Sequence, residues 1–346
     1  MNESGWRMPR RVIAGFLLAA VMLVSAAVRA DAQPEAAITV NSRPITQFRI
    51  GRDQTRFGPL EFVGGIEMTS PARRFGSFSA FRFLSPGRDF LGVNDRGYWY
   101  SGMIERDAAG RPVGFADFRM DPILDGQGRP LAGKDDADAE GLDVKDGVAT
   151  VSFERNHRVV QYRIAPGGVG RALRELDFVV PRHELRKNGG FETVTRAPPN
   201  GQHRGGLVVI SETSRDKAGN ILAAVIEGPR KGVFTIKRNH PFDITDGAFL
   251  PDGDLLLLER SFSWTSGVGM RLRRIHGEGI APGKLADGPV LLEADMGYQI
   301  DNMEGLDVWT RDDGALMVSL ISDDNGSILQ RNVYLEFVLR EKSRSQ

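Results

Sequence analysis

Short apolar runs separated by tight-turn residues dominate the pattern. Phe78-Ser79-Ala80-Phe81-Arg82-Phe83, Val148 to Phe153, Gly206 to Ile210, Asp254 to Leu258 and Ala315 to Leu320 are β-prone stretches of strand length. Between them stand Asp125-Gly126, Asp146-Gly147, Asp252-Gly253 and Asp313-Gly314, pairs that supply the left-handed backbone of hairpin turns. The nearest candidate for a long amphipathic helix, Leu173 to Leu185, is interrupted by Val179-Val180-Pro181. The expectation is an all-β chain of successive hairpins.

A repeat overlies this pattern. An acidic residue beside glycine opens one strand of each unit: Gly65-Ile66-Glu67, Ala139-Glu140-Gly141, Gly190-Phe191-Glu192, Thr245-Asp246-Gly247 and Met303-Glu304-Gly305. A second closes a later apolar run at Asp95, Glu154, Glu212, Glu259 and Asp323. Self-similarity at roughly 50 residues in a strand-rich chain predicts a β-propeller. Five repeats are countable, at about 65–130, 138–187, 190–240, 245–298 and 302–346, and a degenerate sixth is compatible with the spacing. Ring closure by pairing of N- and C-terminal strands is expected, with Ile45 to Ile50 beside Asn332 to Leu339. Equivalent positions of the blades then converge on one axis. Two tiers of carboxylates should meet at one end of the channel, where like charges need a cation among them.

The ends and the composition narrow the class. Arg7, Arg10 and Arg11 precede the apolar stretch Val12 to Val28, followed by small-residue cleavage sites, which reads as an export signal over 1–32. One propeller domain then occupies 33–346, with a periplasmic or secreted destination by the Sec or twin-arginine route. No stable membrane insertion is expected after cleavage. The absence of cysteine removes disulfides, thiolate catalysis and cysteine metal sites. Lysine and arginine number 45 against 45 aspartate and glutamate, so no global field favours nucleic acid.

Familiar catalytic patterns fail. Gly76-Ser77-Phe78-Ser79-Ala80 lacks the second glycine of a nucleophile elbow, the five histidines are scattered, and Gly277 to Lys284 mis-spaces a phosphate loop. The acidic segments carry more. Asp136-Ala137-Asp138-Ala139-Glu140-Gly141 opens like a calcium loop, but Gly147 stands at the twelfth position, which leaves a β-loop calcium site or a solvated turn. Asp301-Asn302-Met303-Glu304-Gly305-Leu306-Asp307 echoes the first segment. Oxygen ligands without histidine or cysteine select calcium, with magnesium second, over zinc. Arg96, Arg155 and Arg260 each follow a second-tier position or lie beside one, placed either to engage a substrate anion or to neutralise a carboxylate of the adjoining blade.

Taken together, Gly64-Gly65-Ile66-Glu67, Phe90 to Gly97, Asp138 to Leu142, Val151 to Arg155 and Asn302 to Leu306 resemble the phytase-like family of exported bacterial proteins, over about 60 to 340. The resemblance implies a propeller with calcium on an acidic face that holds phosphate and positions a water. On that reading the candidate catalytic residues are Glu67, Asp95, Arg96, Glu154, Arg155, Glu259 and Arg260. The candidate metal ligands are Asp138, Glu140, Glu192, Asp246 and Glu304. Two functions follow: a calcium-dependent phosphoester hydrolase acting on a small anionic ester, or a non-catalytic propeller with structural calcium that binds a ligand or partner protein.

Overall fold

A computed structural model describes Met1 and residues 37–340; the export signal expected at 1–32 lies outside the described residues apart from Met1. Five antiparallel sheets make five blades. Blade 1 comprises Phe78–Phe83, Asp89–Asn94, Tyr98–Arg106 and Pro112–Pro122. Blade 2 comprises Ala139–Lys145, Val148–Phe153, Arg158–Ala165 and Gly168–Leu176. Blade 3 runs Phe191–Arg196, Leu207–Arg215, Ile221–Glu227 and Gly232–Ile236, extended by the parallel pair Leu285–Ala286. Blade 4 runs Asp243–Phe249, Leu255–Ser263, Gly267–Ile275 and Val290–Ala294. Blade 5 joins Asn302–Thr310, Leu316–Asp323 and Asn332–Leu339 to the N-terminal strands Leu60–Thr69 and Asn41–Ile45.

The ring therefore closes by N- and C-terminal pairing, but through a different strand. Leu60–Thr69 lies beside Asn332–Leu339, with Ile66 opposite Tyr334, and Asn41–Ile45 lies outside it. Ile45 to Ile50 is not the closing strand. Gly65 serves this close approach: a Cβ there would meet the Tyr334 carbonyl oxygen at 2.6 Å. The Gly-x-Glu pattern of 65–67 thus marks an outer strand, and blade 1 begins at Phe78 instead of Gly65.

Apolar burial falls between blades. Five clusters seal the five interfaces, such as Leu142, Val151 and Tyr162 of blade 2 against Ala80, Leu91 and Val93 of blade 1. The same holds around the ring, ending with Leu258 and Leu272 of blade 4 against Leu306 and Leu320 of blade 5. Alternation along each strand sends one set of side chains into these interfaces, and hydrophobic burial there holds the blades at fixed spacing. The axis itself is left to polar groups.

A charged plug closes that axis. The buried Arg82 of blade 1 donates from Nη1 and Nη2 to both carboxylate oxygens of Asp246 in blade 4, at 2.8 and 2.9 Å. It also donates to the carbonyls of Phe81, Val194, Gly247 and Leu306, so one guanidinium ties blades 1, 3, 4 and 5. Burial pushes the Asp246 carboxyl above its ordinary value while Arg82 pulls it back. Both terminal nitrogens of the guanidinium meet several acceptors, which is what allows the charges to stay buried.

Candidate functional site

One irregularity recurs in every inner strand. Register slips by a residue between Phe78 and Ala80, Ala139 and Leu142, Phe191 and Thr193, Ile244 and Asp246, and Met303 and Gly305. Each slip is a β-bulge, which leaves one residue unpaired and re-aims its side chain. The skipped residues are Ser79, Glu140 with Gly141, Glu192, Thr245 and Glu304. Gly141 is obligatory there, because a Cβ would meet the Glu192 carbonyl oxygen at 2.6 Å and the Val194 nitrogen at 2.7 Å. The second strand of each blade passes opposite this bulge. The next residues along are Asp95, Glu154, Glu212, Arg260 and Asp323.

These two tiers line one cavity of about 170 Å³, walled by Phe78, Ser79, Asp95, Glu140, Glu154, Asn188, Glu192, Glu212, Arg260, Glu304, Asp323 and Asn325. Seven carboxylates thus face a single arginine. Glu140, Glu154 and Asp138 can bring one oxygen each to within 4.8 Å of one another, and so can Glu154, Glu192 and Glu212, with Glu154 common to both groups. Glu154 is fixed by the backbone N–H groups of Gly189 and Gly190, both of which donate to its Oε1. Asp138 is already neutralised: Lys134 Nζ lies 2.6 Å from its Oδ1, and Arg155 Nε donates to its Oδ2 at 2.8 Å.

Electrostatics at the mouth are unfavourable without a further cation. Burial, then the charges of Asp138 and Glu154, push Glu140 well above the ordinary carboxylate range. Burial, then Glu140 and Glu212, do the same to Glu192. Burial raises Glu304 to about 8 against the opposing pull of Arg260, and raises Asp323 to about 7 with help from Asp95. Glu154 and Glu212 are raised too, mainly by burial. Glu192 is 9% exposed and makes no hydrogen bond or ion pair with any described residue. Oxygen-only donors, several of them buried and short of partners, suit a hard divalent cation.

The site residues expected from sequence divide into two groups. Glu140, Glu192, Glu304, Asp95, Glu154 and Arg260 come together at the mouth, with Asp138 and Arg155 adjoining it. Four others do not. Glu67 sits on an outer strand of blade 5, paired with Arg43 at 2.6 Å and Arg331 at 3.2 Å, because its segment closes the ring. Asp246 lies one residue past the bulge and is held by Arg82; the residue skipped in blade 4 is Thr245, buried, with its Oγ1 donating to the Met303 carbonyl oxygen. Glu259 is likewise one residue short of the mouth, buried and bound to Arg271 and Arg273 at 2.7 and 2.6 Å. Arg96 is exposed, donates to the Arg73 carbonyl oxygen, and lines a neighbouring hollow with Asp95 and Lys134.

Sequence reasoning passed over Ser79, Thr245 and Arg82. The signal for Ser79 was its alignment with Glu140 and Glu304, three residues before an Arg82 that aligns with Asp143 and Asp307 when the bulges are matched.

Similar solved structures include the endo-arabinase from Bacteroides thetaiotaomicron, at 11% identity and TM-score 0.44, covering 77% of this chain and 99% of that one. A thermostable family-43 glycoside hydrolase gives 11% identity and TM-score 0.43, covering 80% and 99%. The PQQ-bound form of aldose sugar dehydrogenase from Streptomyces coelicolor gives 11% and 0.39, covering 87% and 100%. Similarity at this level carries no inference about chemistry. No curated protein matches. The family model "Phytase-like", described as esterase-like activity of phytase, matches residues 73–326, which span blade 1 to the loop after the second strand of blade 5. The chain belongs to this phytase-like family.

Proposed function

We propose that the protein is an exported, calcium-dependent hydrolase of small anionic esters, phosphoesters foremost, acting in the periplasm. The observation that carries this reading is the mouth itself, where seven carboxylates converge on one arginine and Glu192 has no hydrogen-bond or ion-pair partner among the described residues. Glu140, Glu154 and Glu192 are the residues that would hold calcium, with Glu154 common to both groups of candidate ligands. Calcium bound there would lower the pKa of a bound water and offset charge developing on a phosphoryl or carbonyl oxygen.

The chain's own groups supply the rest. Arg260 is the cation within the cavity, and its Nη1 has no partner among the described residues, so it is available to an ester anion. The raised carboxylates offer proton acceptors near neutral pH: Asp323 at about 7 and Glu304 at about 8 lie where a general base or acid works best. The Arg82 plug leaves the carboxylate end as the working face of the channel.

The test is direct. Chelator-stripped protein resupplied with calcium should hydrolyse members of a panel of aryl phosphates and carboxylic esters, and Glu192→Gln should abolish turnover. A panel without turnover at saturating calcium would overturn the hydrolase reading.

A further inference from the structure

The mouth has one member of the opposite sign. Just past the point of the second strand opposite the bulge, blades 1, 2, 3 and 5 place Asp95, Glu154, Glu212 and Asp323, whereas blade 4 places Arg260. Its Nη2 donates to Glu212 Oε1 of blade 3 at 3.1 Å, and its Nε lies 3.1 Å from Glu304 Oε1 of blade 5. The Nε contact lacks the alignment of a hydrogen bond. Arg260 therefore behaves there as a charge set between two carboxylates, not as a planar fork clasping one. A divalent ion would be placed the same way. Glu192, buried and without a partner among the described residues, lines the same cavity and acts electrostatically on Arg260.

We propose that Arg260 is a resident cation that excludes divalent metal from the blade 3–5 sector of the mouth and confines it to Glu140, Glu154 and Glu192 on the blade 2–3 side. This rests on the metal-binding reading above. Removal of the guanidinium leaves Glu212, Glu304, Glu192 and Asp323 around a space with no positive charge. Four carboxylates so placed have two outcomes, protonation or capture of an ion, and calcium in excess favours the second.

Counting bound ions tests this without an ester substrate. Chelator-stripped full-length protein is titrated with calcium by calorimetry, and bound metal is counted by mass spectrometry under native conditions. Arg260→Gln should bind one more calcium per chain than wild type. Arg260→Lys, which keeps the charge, should bind the wild-type number. Arg260→Gln/Glu304→Gln should lose the additional ion. An Arg260→Gln chain with the wild-type number, or an Arg260→Lys chain that gains an ion, overturns the proposal. If Arg260→Gln folds only in calcium, the ion has replaced the guanidinium and the proposal stands; if it stays unfolded in calcium, the proposal fails. A wild-type chain that binds none beside an Arg260→Gln chain that binds one overturns the metal reading of the native mouth and leaves exclusion by Arg260 standing. Binding by neither overturns both.

Discussion

Replacing Arg82 with methionine should cost about 3–5 kcal/mol of folding stability, the range for breaking a buried ion pair on one side only. The structure sets that figure. Asp246 is fully buried, its two oxygens each accept from Arg82, and burial already raises its pKa. Without the guanidinium, the backbone N–H groups of Gly247 and Leu306 still donate to the carboxylate, which holds the cost below that of a naked charge. Four carbonyls also lose a donor, each worth about 1 kcal/mol net where no other partner replaces it. Against a typical domain stability of about 5–15 kcal/mol, such a loss is large and measurable. Urea unfolding at pH 7 with chelator present gives the midpoint and slope for wild type, Arg82→Met, Asp246→Leu and the double variant. The double variant should recover at least about 2 kcal/mol relative to Arg82→Met, because no unpaired charge remains. A loss under about 1 kcal/mol for Arg82→Met, or a double variant no more stable than the single, would refute the account of the plug.

Other consequences follow from the mouth. Glu304 and Asp323 have folded-state pKa values of about 8 and about 7, above their ordinary 4.5 and 3.8, so the folded chain holds protons that the unfolded chain has released. Metal-free protein should accordingly lose several kcal/mol as pH rises from about 4 to 8, and calcium should raise Tm more at pH 8 than at pH 5; a metal-free Tm that climbs across this window contradicts the assignment. Gly141→Ala forces a Cβ against the Glu192 carbonyl oxygen, so it should destabilise by about 1–3 kcal/mol and weaken calcium binding at least tenfold by titration calorimetry. Glu259→Gln strips a carboxylate from Arg271 and Arg273, so it should lower Tm while leaving calcium stoichiometry intact, and a change in stoichiometry would return Glu259 to the mouth.

Much of this arrangement is legible in the sequence because a repeat forces equivalence. Once Glu140-Gly141 and Glu304-Gly305 are aligned, the five-bladed ring and the convergence of Glu140, Glu192, Glu304, Asp95, Glu154, Glu212 and Asp323 follow from strand geometry. Blade 4 defeats the alignment. Asp246-Gly247 looks like Glu140-Gly141, yet the bulge falls on Thr245, and a one-residue displacement sends a side chain to a different environment. The same displacement takes Glu259 into the blade and brings Arg260 to the mouth. Glu67 misled for another reason: its glycine permits close strand approach in ring closure, a long-range contact between residues 65 and 334 that local pattern does not encode. Arg82 lies in a phenylalanine-rich strand with no local signal of its role; only the closed ring shows that it faces Asp246, 164 positions away.

The central claim is that the carboxylate mouth is a divalent-metal site. Anomalous diffraction from crystals of the mature protein grown with calcium tests it most directly. The account predicts a peak within about 2.3–2.6 Å of oxygens from Glu154 and from Glu140 or Glu192. A mouth without a peak at millimolar calcium, or calcium bound only to outer-strand residues such as Glu67, would contradict it.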